Sequence, residues 1–600
     1  MGFRLSLKLL RDQVKSNRQT YFPTLVMGSI LVALVYIIFA MGDMIAGSEG
    51  FVGYRSLGTV FKTLTYVFAI ISFAVFFYLN AFLAKRRSLS YGLYGVLGLG
   101  RRDLIKLNFL ECLGLGLSIC FLGSLLGLVL GRLAFAGLLA LTHLDDYLKI
   151  SYQFSGAALR QAWLLFACIF LAIFLFNSFT ILKAKLRDLL DGPETGEREP
   201  KAKWLLSILS LGLLLGAYYL ANQNLDPIDA IKVFFPAVLM VIVATYGFFM
   251  AVTIFLLKAC KRNKRLYYRP GPFINISNLL FRMKANAGGL ATISILFTCA
   301  FLTFSTTSTL YWGVAKNIEG SMPREVVFDQ HLNLTVQEDK SLREQVLDRV
   351  LPDLPTWNQA LAAKQGYTLQ NELLDVLYAE DTGMVTHSLD VAETGQAGQT
   401  YHLVYRYAFD MPGLDLDERQ AYFAAFYGEG SPLTKLRSEE DSALILQPLY
   451  SNISDREEMQ QDLWSSMGTL LFIGLYFILF FLLVSGLVVY FKQLNEAYAD
   501  RKNFVILQEL GLNQGQVKST IRTQILIMFF LPLAFSVLNV LASYKILNTL
   551  LQALGTQILD GRFFLKMSVV SVLVFTLIYL LIYQATAHVY YRIVHREAVL

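Results

Sequence analysis

Thr469-Leu-Leu-Phe-Ile-Gly-Leu-Tyr-Phe-Ile-Leu-Phe-Phe-Leu-Leu-Val-Ser-Gly-Leu-Val-Val-Tyr-Phe491 lies within a stretch, 465–491, that holds no Asp, Glu, Lys or Arg. At about 1.5 Å per residue, a helix of that length crosses the roughly 30 Å of bilayer hydrocarbon, whereas a buried helix of a soluble protein needs no such uninterrupted run. Nine further stretches of the same kind occur at 22–42, 63–84, 112–131, 161–182, 204–222, 233–257, 287–315, 523–544 and 567–591. The chain therefore reads as an α-helical polytopic membrane protein with ten transmembrane helices.

Composition agrees. Of 600 residues 55% are hydrophobic and 16% charged, against about 25% charged in an average soluble chain, and mean hydropathy is +0.49. The five cysteines (Cys112, Cys120, Cys168, Cys260, Cys299) fall in or at the end of apolar spans, with no CxxC spacing. That pattern offers no zinc site and no disulfide framework. Residues 1–21 carry Arg4, Lys8, Arg11, Lys15 and Arg18 ahead of an apolar run too long for a signal-peptide core, so the first span reads as uncleaved. Their periodicity sets Phe3, Leu7, Leu10 and Val14 opposite Arg4, Lys8, Arg11 and Lys15, an amphipathic helix for the bilayer surface or for bracing a partner.

Basic residues in alternate loops orient the chain, because Lys- and Arg-rich loops stay cytoplasmic. One set of loops (1–21, 85–106, 183–203, 258–286, 492–522, 589–600) holds 32 Lys and Arg, and the short loops of the other set hold six. Both termini are expected in the cytoplasm. The remaining outer segment, 316–464, is long enough to be a domain. Strand-like runs occur at Glu325–Phe328, Leu332–Val336, His402–Tyr407 and Ala443–Leu449, and helical ones at Ser341–Val350 and Glu418–Phe426. Residues 312–465 carry 11 basic and 26 acidic residues, a net of −15. Such a field attracts cations, but the plainer reading is a soluble surface on an exposed domain.

An internal repeat organises the rest. Tyr91-Gly-Leu-Tyr94-Gly-Val-Leu97-Gly98-Leu99, with Leu104 further on, matches Phe504-Val-Ile-Leu507-Gln-Glu509-Leu510-Gly511-Leu512, with Val517, at one offset of 413. Apolar residues three apart, followed by a Gly that can end a helical turn, make a short helix with an apolar face. Its twofold occurrence on the basic side points to two docking places for a two-fold partner. Residues 3–17 also resemble 273–286, so each half starts with an interfacial helix.

At these residues a family resemblance becomes specific. Asp500 to Leu512, Val517 to Gln524 and Phe529 to Leu533 resemble the second FtsX-like permease segment of bacitracin-type (Bce-type) ABC transporter permeases, and Asn278 to Asn286 with Ala291-Thr-Ile293 resembles the start of their seventh span. The resemblance implies two FtsX-like halves with an inserted α+β extracytoplasmic domain: 1–21 interfacial helix, 22–186 first half, 187–272 linker and spans five and six, 273–315 interfacial helix and span seven, 316–464 outer domain, and 465–600 second half. It further implies a permease subunit in a bacterial plasma membrane, served by two copies of a separate ABC ATPase that binds ATP and Mg, and in many similar systems partnered by a membrane histidine kinase. The substrate class it implies is a cell-wall-targeting antimicrobial peptide of the bacitracin or lantibiotic kind, or its lipid-linked precursor target, met within 316–464 and the outer ends of spans seven and eight. The ATPase-coupling residues are then Tyr91, Tyr94, Leu97, Gly98, Leu99, Leu104, Phe504, Leu507, Glu509, Leu510, Gly511, Leu512 and Val517.

The residues themselves agree on one omission: no GxxxxGK[ST] occurs, so no site for nucleotide phosphates and no cofactor is expected on this chain. Nucleic acid is not an expected partner. No nucleophile elbow or metal-ligand spacing appears either, and His331, His387 and His402 read as surface residues. Glu111 sits near the cytoplasmic end of the third span and is expected to stay wet. Asn80, Asn177 and Asn539 are expected to hydrogen-bond between helices. A non-transporting transducer and a lipoprotein-extracting permease are the alternative functions.

Overall fold

The computed structural model describes residues 3–46, 54–143, 154–183, 204–223, 226–267, 270–322, 324–336, 371–379, 386–388, 400–409, 444–509, 514–553 and 561–595. Among these, ten helical segments are long and apolar enough to cross a membrane, from Thr20–Met44 to Gly561–Gln584, and they coincide with the ten apolar stretches. The protein is a multi-pass membrane protein. Its helices are α1 (Phe3–Ser16), α2 (Arg18–Ala46), α3 (Tyr54–Val96), α4 (Arg101–Thr142), α5 (Gly156–Lys183), α6 (Trp204–Ala221), α7 (Pro227–Gly247), α8 (Thr253–Arg262), α9 (Pro270–Ser321), α10 (Arg456–Glu509), α11 (Gln514–Ala553) and α12 (Gly561–His595), with a short turn of helix at Lys264–Tyr267. A π-helical turn, Phe248–Val252, joins α7 to α8. Two compact units result, residues 1–312 with 465–600, and residues 313–464.

In the helical unit α2 is the central post. Every residue from Leu31 to Met41 is buried, because this helix is apolar all round and has neighbours on every side. α4 crosses it closely through Gly123 and Gly127, four residues apart. Without side chains there, the two backbones approach within the reach of van der Waals contact, which substitutes for the hydrophobic drive that lipid does not supply. α10 closes the other side: Phe68 of α3 stacks on Phe477 at 4.9 Å and meets Phe480 edge-on at 5.4 Å. The Tyr476 hydroxyl donates to the Leu34 carbonyl at 3.3 Å. α9 and α12 join through Phe297–Tyr579 (4.6 Å) and Phe301–Phe575 (5.4 Å).

The three asparagines bond between helices. Asn80 of α3 and Asn177 of α5 exchange two amide hydrogen bonds at 2.9 and 2.8 Å. Asn539 of α11 donates to Thr298 of α9 at 3.1 Å and accepts from the Tyr218 hydroxyl of α6 at 2.6 Å. Outward, Leu117, Phe121, Leu164, Leu171, Leu209 and Leu577 are exposed large apolar residues, the surface expected to face hydrocarbon rather than water.

Two details depart from the sequence reading. The interfacial helix expected at 273–286 is not separate, since α9 runs unbroken from Pro270 to Ser321. Leu279, Met283, Ala287, Leu290 and Ala291 are buried in one cluster with Phe249, Met528 and Phe535, so packing rewards a continuous helix. At the matching place in the first half, Asn17 interrupts the chain: its side-chain amide donates to the Gln13 carbonyl, and its own carbonyl takes the N–H of Thr20 and Tyr21. On α1, moreover, the deepest residues are Ser6 and Gln13, while Leu7 of the expected apolar face is exposed.

Residues 313–464 carry a five-stranded antiparallel sheet in the order β3-β2-β4-β1-β5. The strands are β1 (Val326–Val336), β2 (Asn371–Ala379), β3 (Thr386–Ser388), β4 (Thr400–Phe409) and β5 (Leu444–Asp455). The two short runs expected at 325–336 are one strand, with a register shift against β5 between His331 and Leu332, as a β-bulge produces. The sequence does not announce β2, because Asn-Glu-Leu-Leu-Asp-Val-Leu-Tyr-Ala lacks clean alternation. The helical stretches 341–350 and 418–426 lie outside the described residues. Val326 pairs with Asp455, and the Arg456 N–H donates to the Glu325 carbonyl at 2.8 Å. The chain thus enters and leaves the sheet side by side, as an insertion between two helices requires.

Candidate functional site

α3 continues well beyond its apolar window, Thr63–Ala81, and reaches Val96. There it ends in a Schellman motif: the Leu99 N–H donates to the Tyr94 carbonyl (3.0 Å) and the Gly98 N–H to the Gly95 carbonyl (3.2 Å). Gly98 has φ +93°, the left-handed region where a Cβ is strained, so Gly is the residue of choice. Gly100 then takes an extended conformation and α4 begins at Arg101, with Asp103 in its first turn, where a negative charge favours the helix N-terminus.

The apolar residues around this turn separate into two groups. Tyr91 and Leu104 are buried with Leu107 of α4 and Ile181 of α5, and Leu9, Leu10, Tyr94, Leu99 and Ile105 pack against them. Leu93, Val96 and Leu97 point away and are 54%, 60% and 73% exposed. Of the residues singled out in the sequence, Leu97 is at the exposed tip and Gly98 shapes it, whereas Tyr91, Tyr94, Leu99 and Leu104 form the seat. α1 belongs to that seat through Leu9 and Leu10.

The second copy of the repeat is described only on either side of 510–513, by α10 up to Glu509 and by α11 from Gln514. Phe504, Leu507 and Glu509 lie on α10 and Val517 on α11. Leu510, Gly511 and Leu512 lie outside the described residues.

Directly behind the first turn is a buried polar network. Arg87 and Glu111 form an ion pair at 3.2 Å with side chains only 5% and 1% exposed. Arg87 also donates to the Asn108 side-chain oxygen at 3.1 Å and, through its other terminal nitrogen, to that of Asn80 at 2.8 Å. Glu111 accepts from the hydroxyls of Tyr21 and, at 3.3 Å, Tyr91. Tyr21 in turn accepts from the Gln13 amide at 3.1 Å, and the Asn108 amide reaches the Phe174 carbonyl and the Ser178 hydroxyl, each at 3.4 Å. Five helices, α1 to α5, are thereby pinned together at the root of the turn. Glu111 is therefore dry and paired, not wet as its position in the sequence suggests, because the extended α3 brings a guanidinium to it.

Burial disfavours the charged form of Arg87 and the Glu111 carboxylate beside it favours it; the net direction is upward, so the guanidinium stays cationic. Burial likewise pushes the Tyr91 hydroxyl upward, so it stays protonated and able to donate. In the basic-residue count Arg87 is only one cation among many. Its signal lies in the spacing: Asn80, Arg87 and Tyr91 are seven and four residues apart, one face of a helix.

Comparison with known proteins bears on the same segment. Residues 62–186, from α3 through α5 and including the turn, match the FtsX-like permease C-terminal family. The chain is 22% identical to the bacitracin export permease protein BceB of Halalkalibacterium halodurans, with 88% of this chain and 91% of that protein covered. It is 22% identical to the BceB of Bacillus subtilis over the same shares, and 23% identical to the ABC transporter permease protein YxdM of Bacillus subtilis over 90% and 93%. The FtsX-like match falls on the first copy of the repeat, whereas the sequence reading rests most on the second.

Proposed function

We propose that this chain, which carries an FtsX-like permease segment and is similar to bacitracin export permeases along nearly its whole length, is the membrane subunit of an ABC transporter that protects against cell-wall-directed peptide antibiotics. The observation that carries the reading is the exposed tip Leu93, Val96 and Leu97 on a turn held from behind by buried Tyr91 and Leu104 and half-buried Tyr94 and Leu99. A solvated loop has no use for three exposed apolar side chains on a fixed support, and a groove on a partner does. The chain has no phosphate-cradling motif of its own. Two copies of an ABC ATPase, binding ATP and Mg, dock at the turn 93–97 and at its repeat near 504–517, both on the cytoplasmic side with the two termini.

Closure of the ATPase dimer moves the two turns toward each other, and each carries the helices packed behind it. Residues 316–464, on the outer side, meet the peptide or the lipid-linked precursor it grips. The spans hold few ionisable groups, which fits removal of a peptide from its target at the outer leaflet better than passage of a charged solute.

Two measurements test the reading. Cells carrying the permease with its neighbouring ATPase should gain resistance to bacitracin, and an ATPase unable to hydrolyse ATP should abolish the gain. Leu97→Asp, which adds a charge at an exposed position and disturbs no core, should remove ATPase co-purification while leaving the permease monodisperse. A Leu97→Asp protein that still holds the ATPase through this turn would overturn the docking assignment.

A further inference from the structure

We infer that Arg87 and Glu111 are positioning residues of the coupling site: their buried pair locks the first turn to α1, α2, α4 and α5, so that a push on Leu93–Leu97 moves the first half as one block. The inference rests on the docking reading above for its functional consequence, and on the geometry alone for the lock.

The physical case starts from how helices slide. Apolar side chains packed across two helices tolerate small shear movements, because a side chain that slips meets another apolar neighbour of similar shape. A charged, directional network does not. Arg87 is held by Glu111, Asn108 and Asn80 at once, and a displacement of α3 along α4 leaves a guanidinium and a carboxylate unpaired in a site that water does not reach. Such pairs add little to stability over an apolar core, and their best-attested use is to fix one register. The register fixed here is that of Tyr91, which joins the network through Glu111 and the apolar seat through Leu104 and Leu107. One residue therefore ties the lock to the turn. In sequence, 413 residues further on, the places of Arg87, Asn108 and Glu111 are taken by Asp500, Ile521 and Gln524, a set with no cation.

The experiment is Glu111→Gln, which keeps size and acceptor oxygen but removes the charge, in the full-length permease. Backbone hydrogen exchange of the purified protein should quicken about ten-fold or more across residues 91–97, as the population of the loosened turn rises, while α11 and α12 stay as protected as before. With the ATPase present, binding should weaken and return at excess ATPase, yet bacitracin protection should not return. Unchanged exchange at 91–97 overturns the lock, and so does a rise spread evenly through α11 and α12, which would make the pair a general stabiliser. Faster local exchange with full protection from bacitracin overturns its role in coupling. Should Leu97→Asp retain the ATPase, the docking reading fails instead, and the exchange measurement alone decides the lock.

Discussion

Gly123→Leu is expected to stop α2 and α4 from seating against each other. A Cβ added at Gly123 would stand 2.5 Å from the Val32 Cβ and 2.7 Å from the Ser29 carbonyl oxygen. The second of these is backbone, so no rotamer change relieves it, and α2 cannot shift because Leu31 to Met41 are buried on all sides. Overpacking usually costs about 1–3 kcal/mol where side chains can yield, and here the cost should exceed that range. The measurement is the thermal midpoint and the monodisperse yield of the purified permease. Gly127→Leu should behave alike, with Tyr36 and Ala33 in the way, whereas a Cβ added at Gly114 or Gly137 meets nothing within 4 Å, and Gly114→Leu and Gly137→Leu should fold normally. Normal yield from Gly123→Leu would mean that the crossing of α2 and α4 is looser than these distances require.

The second large effect is Arg87→Ala. It leaves the Glu111 carboxylate 1% exposed with its cationic partner gone, and removing one member of a buried pair costs about 3–5 kcal/mol. Glu111→Leu strands the guanidinium instead and should cost a similar amount. The double variant Arg87→Met with Glu111→Leu should be more stable than either single one, because no uncompensated charge remains. A double-mutant cycle on thermal stability checks this, and additive single effects would show that the two groups do not act as a pair.

Both predictions concern places where the sequence carries the residues but not their partners. Gly98 can be read as a helix end because the cause is local: a residue without Cβ followed by Gly100 and a new helix. The exposed tip is legible only in part. Spacing singles out Leu97, but Leu93 and Val96 share the tip, while Tyr91 and Leu104 turn inward to meet Leu107 and Ile181. Three-residue spacing identifies an apolar face; it does not say which neighbour covers it. The network is less legible still, since it joins Tyr21, Asn80, Arg87, Asn108, Glu111 and Asn177, residues up to 97 positions apart for a single bond.

What the sequence by itself determined is everything that sums along the chain. Ten apolar stretches make ten spans because transfer of each residue into hydrocarbon adds to the next, and the helices lie where those sums lie. The sheet-bearing insertion between the seventh and eighth spans follows from the same kind of local pattern. Only the tertiary structure decided which polar groups in those helices are partners, that Glu111 is dry, that α1 braces the turn through Leu9 and Leu10, and that α9 does not break. Those outcomes depend on pairwise contacts between distant segments, whose energies exist only once α1 to α5 have been brought within about 3 Å hydrogen-bonding range of one another.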